Sequence, residues 1–159
     1  MKEDQNMYEA IFNPRGMAII GASSSDMATL SQIKTKIKDR LYLVNPKYNN
    51  VQGIRCYASI LEIEAPVDYV SIGVSASLLP RVLEQCIRKG VRVAQIFTAG
   101  FSETGDPERI AQEEEIKRIA GGRIRLIGPN CFGVYCPKSG QAIVPEAPAE
   151  EGHIGVVEQ

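Results

Sequence analysis

The sequence holds one histidine, and none of its four cysteines forms a Cys-x-x-Cys pair. A zinc site would need scattered ligands, so no metal centre is expected. The cysteines, Cys56, Cys86, Cys131 and Cys136, read as reduced and mostly buried thiols. A Ser-His-Asp or Cys-His arrangement would have to use His153. That residue opens a short apolar run near the end of the chain, and it reads as a surface or packing side chain. No apolar run approaches the ~20 residues that span a bilayer. The first residues, Met1-Lys-Glu-Asp-Gln-Asn-Met7, are polar and lack the apolar core of a secretion signal, so a cytoplasmic protein is expected. A net charge of -1 gives no electrostatic case for nucleic acid or an anionic membrane. Nothing places two carboxylates across a cleft, as glycoside hydrolysis needs. Both Gly-x-Gly-x-x-Gly and a P-loop Gly-Lys-Ser/Thr are missing.

What remains is 159 residues of ordinary composition, enough for one domain with a sizeable core. Apolar, β-branched strands alternate with helical stretches. The strands are Met17–Gly21, Leu41–Val44, Val67–Val74, Val91–Phe97 and Ile124–Gly128. Such strands suit a sheet covered on both faces. Right-handed crossovers then give a Rossmann-like α/β fold, a doubly wound parallel sheet with helices on both faces.

Residues 1 to 12 read as a short lead-in helix or a frayed arm, with Tyr8, Ile11 and Phe12 as candidate anchors. Pro14-Arg15-Gly16 breaks it before the first strand. A helix is expected over Thr29–Lys38, with Leu30, Ile33 and Ile37 inward. Another is expected over Leu78–Lys89, with Leu78, Leu79, Val82, Leu83, Cys86 and Ile87 on one face. Ser77 would cap it and Gly90 end it. A third runs over Pro107–Ala120, with Asp106 as N-cap and Gly121-Gly122 as stop. Its Glu113, Glu114 and Glu115 read as a solvated face.

Beyond Gly133 the pattern changes. Val134–Tyr135 and Ala142–Val144 read as short edge strands, and Pro145–Gly152 as a linker. His153–Val157 reads as a fresh strand. The expected division is a domain over 1–145, then a linker and the first strand of a following domain over 146–159. The alternative is that this strand completes the sheet.

Each main strand ends in a polar or glycine-bearing turn, and ligands of open parallel sheets bind outside such carboxyl ends. Together the turns suggest one long crevice for an extended, phosphate-bearing ligand. Gly21, Ala22, Ser23 and Ser24 open a helix, where backbone amides can hold a phosphate. The same stretch also reads as a plain turn with a serine cap. Asn45, Pro46 and Lys47 follow the second strand, where nicotinamide-binding folds often carry an acid. A cation there favours a ligand phosphate, although Lys47 alone reads as a solvated lysine. Thr98, Ala99, Gly100 and Glu103 follow the fourth strand. Asn130 follows a rigid proline, and Cys131 has no basic partner nearby in sequence, so it reads as packing.

The ordered set Ala18-Ile-Ile-Gly-Ala-Ser23, Val44-Asn-Pro-Lys47, Gly53 with Tyr57, Val67-Asp68, Ala99-Gly-Phe101 with Glu103, and Arg125-Leu-Ile-Gly-Pro-Asn-Cys131 with Gly133 resembles one family. It is the N-terminal coenzyme A-binding domain of NDP-forming acyl-CoA synthetases, including ADP-forming acetyl-CoA synthetases and the succinyl-CoA synthetase alpha subunit. The resemblance covers roughly residues 8 to 157. It implies coenzyme A or acyl-CoA as ligand, with Gly21, Ala22, Ser23 and Ser24 at its phosphates. It puts Lys47 near the nucleotide phosphate, and Val74, Ser75 and Ala76 along the middle of the ligand. Thr98, Ala99, Gly100 and Glu103 would follow the pantetheine path or adenine edge, with Asn130 and Cys131 near the thiol end.

Two departures stand out. The family's first loop carries more glycine and often proline, whereas this one reads Ser24-Ser-Asp-Met-Ala-Thr29 and sets Asp26 near the phosphate position. The third strand's loop reads Val74-Ser75-Ala76 where Val-Pro-Ala is usual. The family's phosphohistidine and ATP-grasp modules, the implied partners, are not in this sequence, so it is not expected to catalyse acyl-CoA synthesis alone. Glu158 stands where the next domain usually has serine. A homo-oligomer is one open assembly. Two rival readings are a stand-alone or acetyltransferase-fused CoA-sensing module and a NAD-dependent oxidoreductase, which the missing glycines and Lys47 oppose.

Overall fold

The computed structural model describes residues 2–142 and 144–157, with side chains from Asn6 onward. Among these residues seven strands form one sheet: β1 (Met17–Ile20), β2 (Leu41–Val44), β3 (Asn50–Val51), β4 (Ile54–Tyr57), β5 (Tyr69–Ile72), β6 (Val93–Ile96) and β7 (Arg125–Ile127). Their order is β3-β4-β2-β1-β5-β6-β7. Every pairing is parallel except β3 on β4. The chain winds outward from β1 to β2 and β4, then returns to β5 and winds the other way. The order therefore reverses between β1 and β5, and the fold is a doubly wound, Rossmann-like α/β sheet.

All side chains of β1, β5 and β6 are buried, because both sheet faces are covered. On one face Ala18, Ile20, Val70, Ile72, Ala94 and Ile96 share a core with Leu79, Leu83 and Cys86 of α3 (Leu79–Lys89) and Ile116 of α4 (Pro107–Ala120). On the other, Met17, Ile19, Tyr69 and Val93 pack with Ala10 of α1 (Lys2–Phe12) and with Ile37. Two polar side chains, Ser71 and Gln95, lie side by side in this second face, in register with Ile19.

Except for β2, the main strands are shorter than the apolar runs suggested. β3 and β4 were not anticipated. They form a hairpin through Gln52 (φ 53) and Gly53 (φ 82). Two left-handed residues suit a two-residue hairpin, but Asn-Gly is its usual signature and Gln-Gly conceals it.

The helix expected over Thr29–Lys38 is instead α2, Met27–Gln32, followed by a separate 3-10 turn at Lys36–Arg40. It starts early because Asp26 accepts from Thr29 N at 2.8 Å. It stops early as Gln32 turns to Ala142, donating to its carbonyl at 2.5 Å and accepting from its amide at 3.3 Å. Its buried residues are thus Thr29, Ser31 and Gln32, while Leu30 and Ile33 are half-buried.

The other helices need smaller corrections. Ser77 does not cap α3. It lies in a 3-10 turn over Ala76–Leu78, its hydroxyl 3.2 Å from that of Ser75, and Leu78 is exposed. Gly90 and Gly121 close α3 and α4 as expected, and Asp106 caps α4. Glu113 is not part of a solvated face: it is buried, accepts from Ser102 N at 3.1 Å and pairs with Lys117 at 3.0 Å. Tyr8 and Phe12 do not anchor α1. Both are exposed, and Ala10 is the buried contact.

Val134–Tyr135 forms no strand. The segment is closed by an antiparallel bridge between Cys136 and Gln141. Of the expected strand Ala142–Val144, Ile143 lies outside the described residues, as does Glu158, and neither Ala142 nor Val144 is in a strand. His153–Val157 is exposed and joins no sheet among the described residues. No described helix is long and apolar enough to cross a membrane.

Candidate functional site

The turns at the carboxyl ends of β2, β1, β5, β6 and β7 are laced into one rim. Asn45 donates from Nδ2 to the Ala22 carbonyl at 2.9 Å and accepts from Lys47 N at 3.0 Å. Gly73 N donates to Ile20 O at 2.9 Å. Gly21 has φ 95, and a Cβ there would strike the Gly73 carbonyl, so only glycine lets the two turns meet. Thr98 Oγ1 donates to Val74 O at 2.7 Å, and Asn130 N to Thr98 O at 3.0 Å. Gln95 reaches up from the sheet face and donates to Cys131 O at 3.1 Å. With ~4.8 Å between strands, this rim is about 19 Å long.

Several polar groups on the rim already have partners. One Asp26 carboxylate oxygen accepts from Ser23 N at 2.5 Å and the other from Thr29 N. Asp26 N in turn donates to Ser23 Oγ at 3.1 Å. Ser23 N and Thr29 N are thus engaged by the chain's own carboxylate rather than open to an anion. Ser24 is exposed, and its carbonyl accepts from Gln52 Nε2 at 3.3 Å, tying the β3–β4 hairpin to the rim. Glu103 bends back to accept from Gly100 N at 2.6 Å and Phe101 N at 2.9 Å. Those amides hold its carboxyl below the usual range. Glu103 therefore braces the loop, with Phe101 buried beneath it.

The remaining expected residues are more open. Pro46, Lys47, Ser75, Ala99 and Asn130 are exposed, while Val74, Ala76, Thr98 and Gly100 are half-buried. Asn130 takes φ 56, a conformation asparagine tolerates. The Cys131 thiol points inward, 3.3 Å from Ile127 O, and burial pushes its pKa up. A cleft of about 200 Å³ opens where strand order reverses, lined by Ile19, Gly21, Asp26, Met27, Ser71, Gly73 and Phe97 among others. Phe97 and Phe132 meet edge to face at 5.9 Å.

Gln52, Ser71, Gln95 and Phe97 belong to this neighbourhood and were not singled out from sequence. The polar Ser71 and Gln95 inside otherwise apolar strands were the available signal, since buried polar groups need partners.

Residues 15–137 match the family model for a CoA binding domain. The ADP-forming acetate–CoA ligase of Methanocaldococcus jannaschii is 40% identical over 154 residues, covering 86% of this chain and 21% of that protein. The alpha subunit of an ADP-forming acetate–CoA ligase II from Pyrococcus furiosus is 32% identical, covering 96% of this chain and 34% of its own length. The apo structure of acetyl-coenzyme A synthetase 1 from Ca. Korarchaeum cryptofilum superposes with a TM-score of 0.72 at 31% identity, covering 84% of this chain and 30% of that one. The chain therefore spans about a fifth to a third of the length of these relatives.

Proposed function

The chain belongs to the CoA-binding domain family, and we propose that its laced rim holds coenzyme A or acyl-CoA for an ADP-forming acyl-CoA synthetase. The observation that carries this reading is the continuity of the rim from Asn45 to Asn130 across the reversal of strand order. A nucleotide with a long arm needs such a track, and a compact metabolite does not.

Fit can be judged from the residues themselves. Substituents on Gly73 and Gly100 would meet nothing within 4 Å, so the rim is open above both. Lys47 projects at the β2 end and supplies a cation for a phosphate. Thr98 fixes the two central turns, and Glu103 holds the amides at the β6 end in one shape. In this reading Gly21 to Ser24 face the diphosphate, Asn45, Pro46 and Lys47 the nucleotide end, and Val74 to Ala76 the arm. Thr98 to Gly100, Asn130 and Cys131 follow toward the thiol. The bound group supplies a thiol that carries the acyl unit. The chain's own residues bind and orient it. Phosphohistidine and ATP-grasp modules are the implied partners, and residues 146–159 would lead toward the next of them.

Isothermal calorimetry with CoA, dephospho-CoA and NADH tests the reading. Saturable heat with CoA, less with dephospho-CoA and none with NADH is expected. Absence of heat with CoA at millimolar ligand would overturn it.

A further inference from the structure

Gln95 is the one polar residue of β6. Its neighbours Val93, Ala94 and Ile96 are apolar, yet Gln95 is buried with them, at 3% exposed. A buried amide needs a partner. Gln95 finds one in the loop after β7, where its Nε2 donates to Cys131 O at 3.1 Å. Gly133 closes on the same amide. It takes φ 100, and a Cβ there would lie 2.7 Å from Gln95 Cδ and 2.8 Å from Oε1. Only glycine lets the backbone come this close. One side chain thus engages the loop at two residues, 131 and 133.

That hold matters because little else fixes this stretch. The Asn130 amide bonds to Thr98 O, and the Cys136 amide to Gln141 O. Between those two amides, residues 131–135 make no backbone–backbone hydrogen bond among the described residues, and they belong to no helix or strand. Phe132, between the two held residues, meets Phe97 edge to face at 5.9 Å. Gln95 and Phe97 are two residues apart and line the same hollow. They engage the loop together, one by an amide and one by a ring.

We infer that Gln95 is a positioning residue for the thiol end of the ligand. It fixes the backbone from Cys131 to Gly133, and with it the place of Asn130 and Cys131 on the rim. Gln95 touches no ligand in this role, since it acts through the loop that does. The inference deepens the proposed CoA-binding reading and rests on it.

The test titrates the full chain, wild type and Gln95→Met, with CoA and with adenosine 3′,5′-bisphosphate, and follows amide shifts by NMR. The bisphosphate is the nucleotide end of CoA without its arm. Methionine keeps the length of glutamine and removes the donor to Cys131 O. Thermal unfolding shows that the variant is folded. The dissociation constant for CoA should rise about fivefold, the net worth of one hydrogen bond, and that for the bisphosphate should stay unchanged. In the CoA-saturated spectra, ligand-induced shifts should persist at Ser23 and Ser24 and shrink from Cys131 to Gly133. Unchanged CoA affinity overturns the inference and leaves the CoA reading standing. Equal losses for both ligands, or shifts reduced equally at both places, also overturn it and give Gln95 to the fold as a whole. A wild-type chain that binds no CoA overturns the reading of the rim itself, and the inference with it.

Discussion

Thr98 donates its hydroxyl to the carbonyl of Val74 at 2.7 Å, and this bond joins the turn after β6 to the turn after β5. Asn130 N then bonds to Thr98 O at 3.0 Å. Thr98 thus couples three strand ends through one residue. Thr98→Val keeps the shape and deletes the hydroxyl. It should cost about 1 kcal/mol of stability, read as a lower urea midpoint. CoA affinity should also fall, because the central turns are no longer fixed. Unchanged affinity in a destabilised variant would show that the lacing serves only the fold.

Lys47 stands beyond β2, exposed, with its amide held by Asn45. An exposed charge pair is worth up to ~1 kcal/mol, or roughly fivefold in affinity. Lys47→Ala should therefore weaken CoA about fivefold and leave dephospho-CoA nearly unaffected. The difference should shrink in higher salt. Equal losses for the two ligands would move Lys47 away from the 3′-phosphate.

Where the governing interactions are local, sequence and structure agree closely. β2 matches its expected range and α4 runs from Pro107 to Ala120, since Asp106, Pro107 and Gly121 set its ends within a few residues. The helix after β1 behaves otherwise. Its stop depends on Gln32 meeting Ala142, a contact across 110 residues that no local pattern shows. The hairpin of β3 and β4 escapes for a different reason, because its strands are short and its turn lacks asparagine.

The site divides in the same way. Polar turns at strand ends, and hence the crevice, could be read directly. Which groups in those turns remain free could not. Asp26 and Glu103 each claim two backbone amides, and such choices are made by loop geometry. Glu113 reads as one acid in a run of three, yet it is drawn inward by Ser102 N and Lys117.

Arg15 grips Asp68 with two guanidinium bonds, at 2.9 and 2.7 Å, and a backbone bond at 2.9 Å, joining the entry to β1 to the entry to β5. The Arg15 guanidinium holds the Asp68 carboxyl below its ordinary range against the opposing effect of burial. A lowered folded-state pKa means stability that is present above the unfolded value, near ~4, and lost as pH falls through the folded value. Asp68→Asn should therefore cost about 1–2 kcal/mol near neutral pH. The gap should narrow toward about pH 3, below the unfolded carboxyl value. Urea midpoints of both proteins across this range provide the check, and a gap that stays constant into acid would exclude the charged pair as its source.

Asp26 has two effects of opposite sign. It caps α2 through Thr29 N and closes the first loop through Ser23 N. Removing such a cap costs about 1 kcal/mol. Its carboxylate also lies at the turn where a ligand phosphate would approach, and two like charges ~4 Å apart in water repel by about 1 kcal/mol, or fivefold. Asp26→Ala should therefore unfold at lower urea yet bind CoA more tightly, by up to about fivefold. The two amides it releases become donors for the ligand. Asp26→Asn separates the terms, because it keeps a cap acceptor while losing the charge. It should bind CoA more tightly than wild type with a smaller loss of stability. If both variants bind CoA more weakly, the ordered loop matters more than the repulsion, and the carboxylate is a positioning group of the rim rather than a competitor for its ligand.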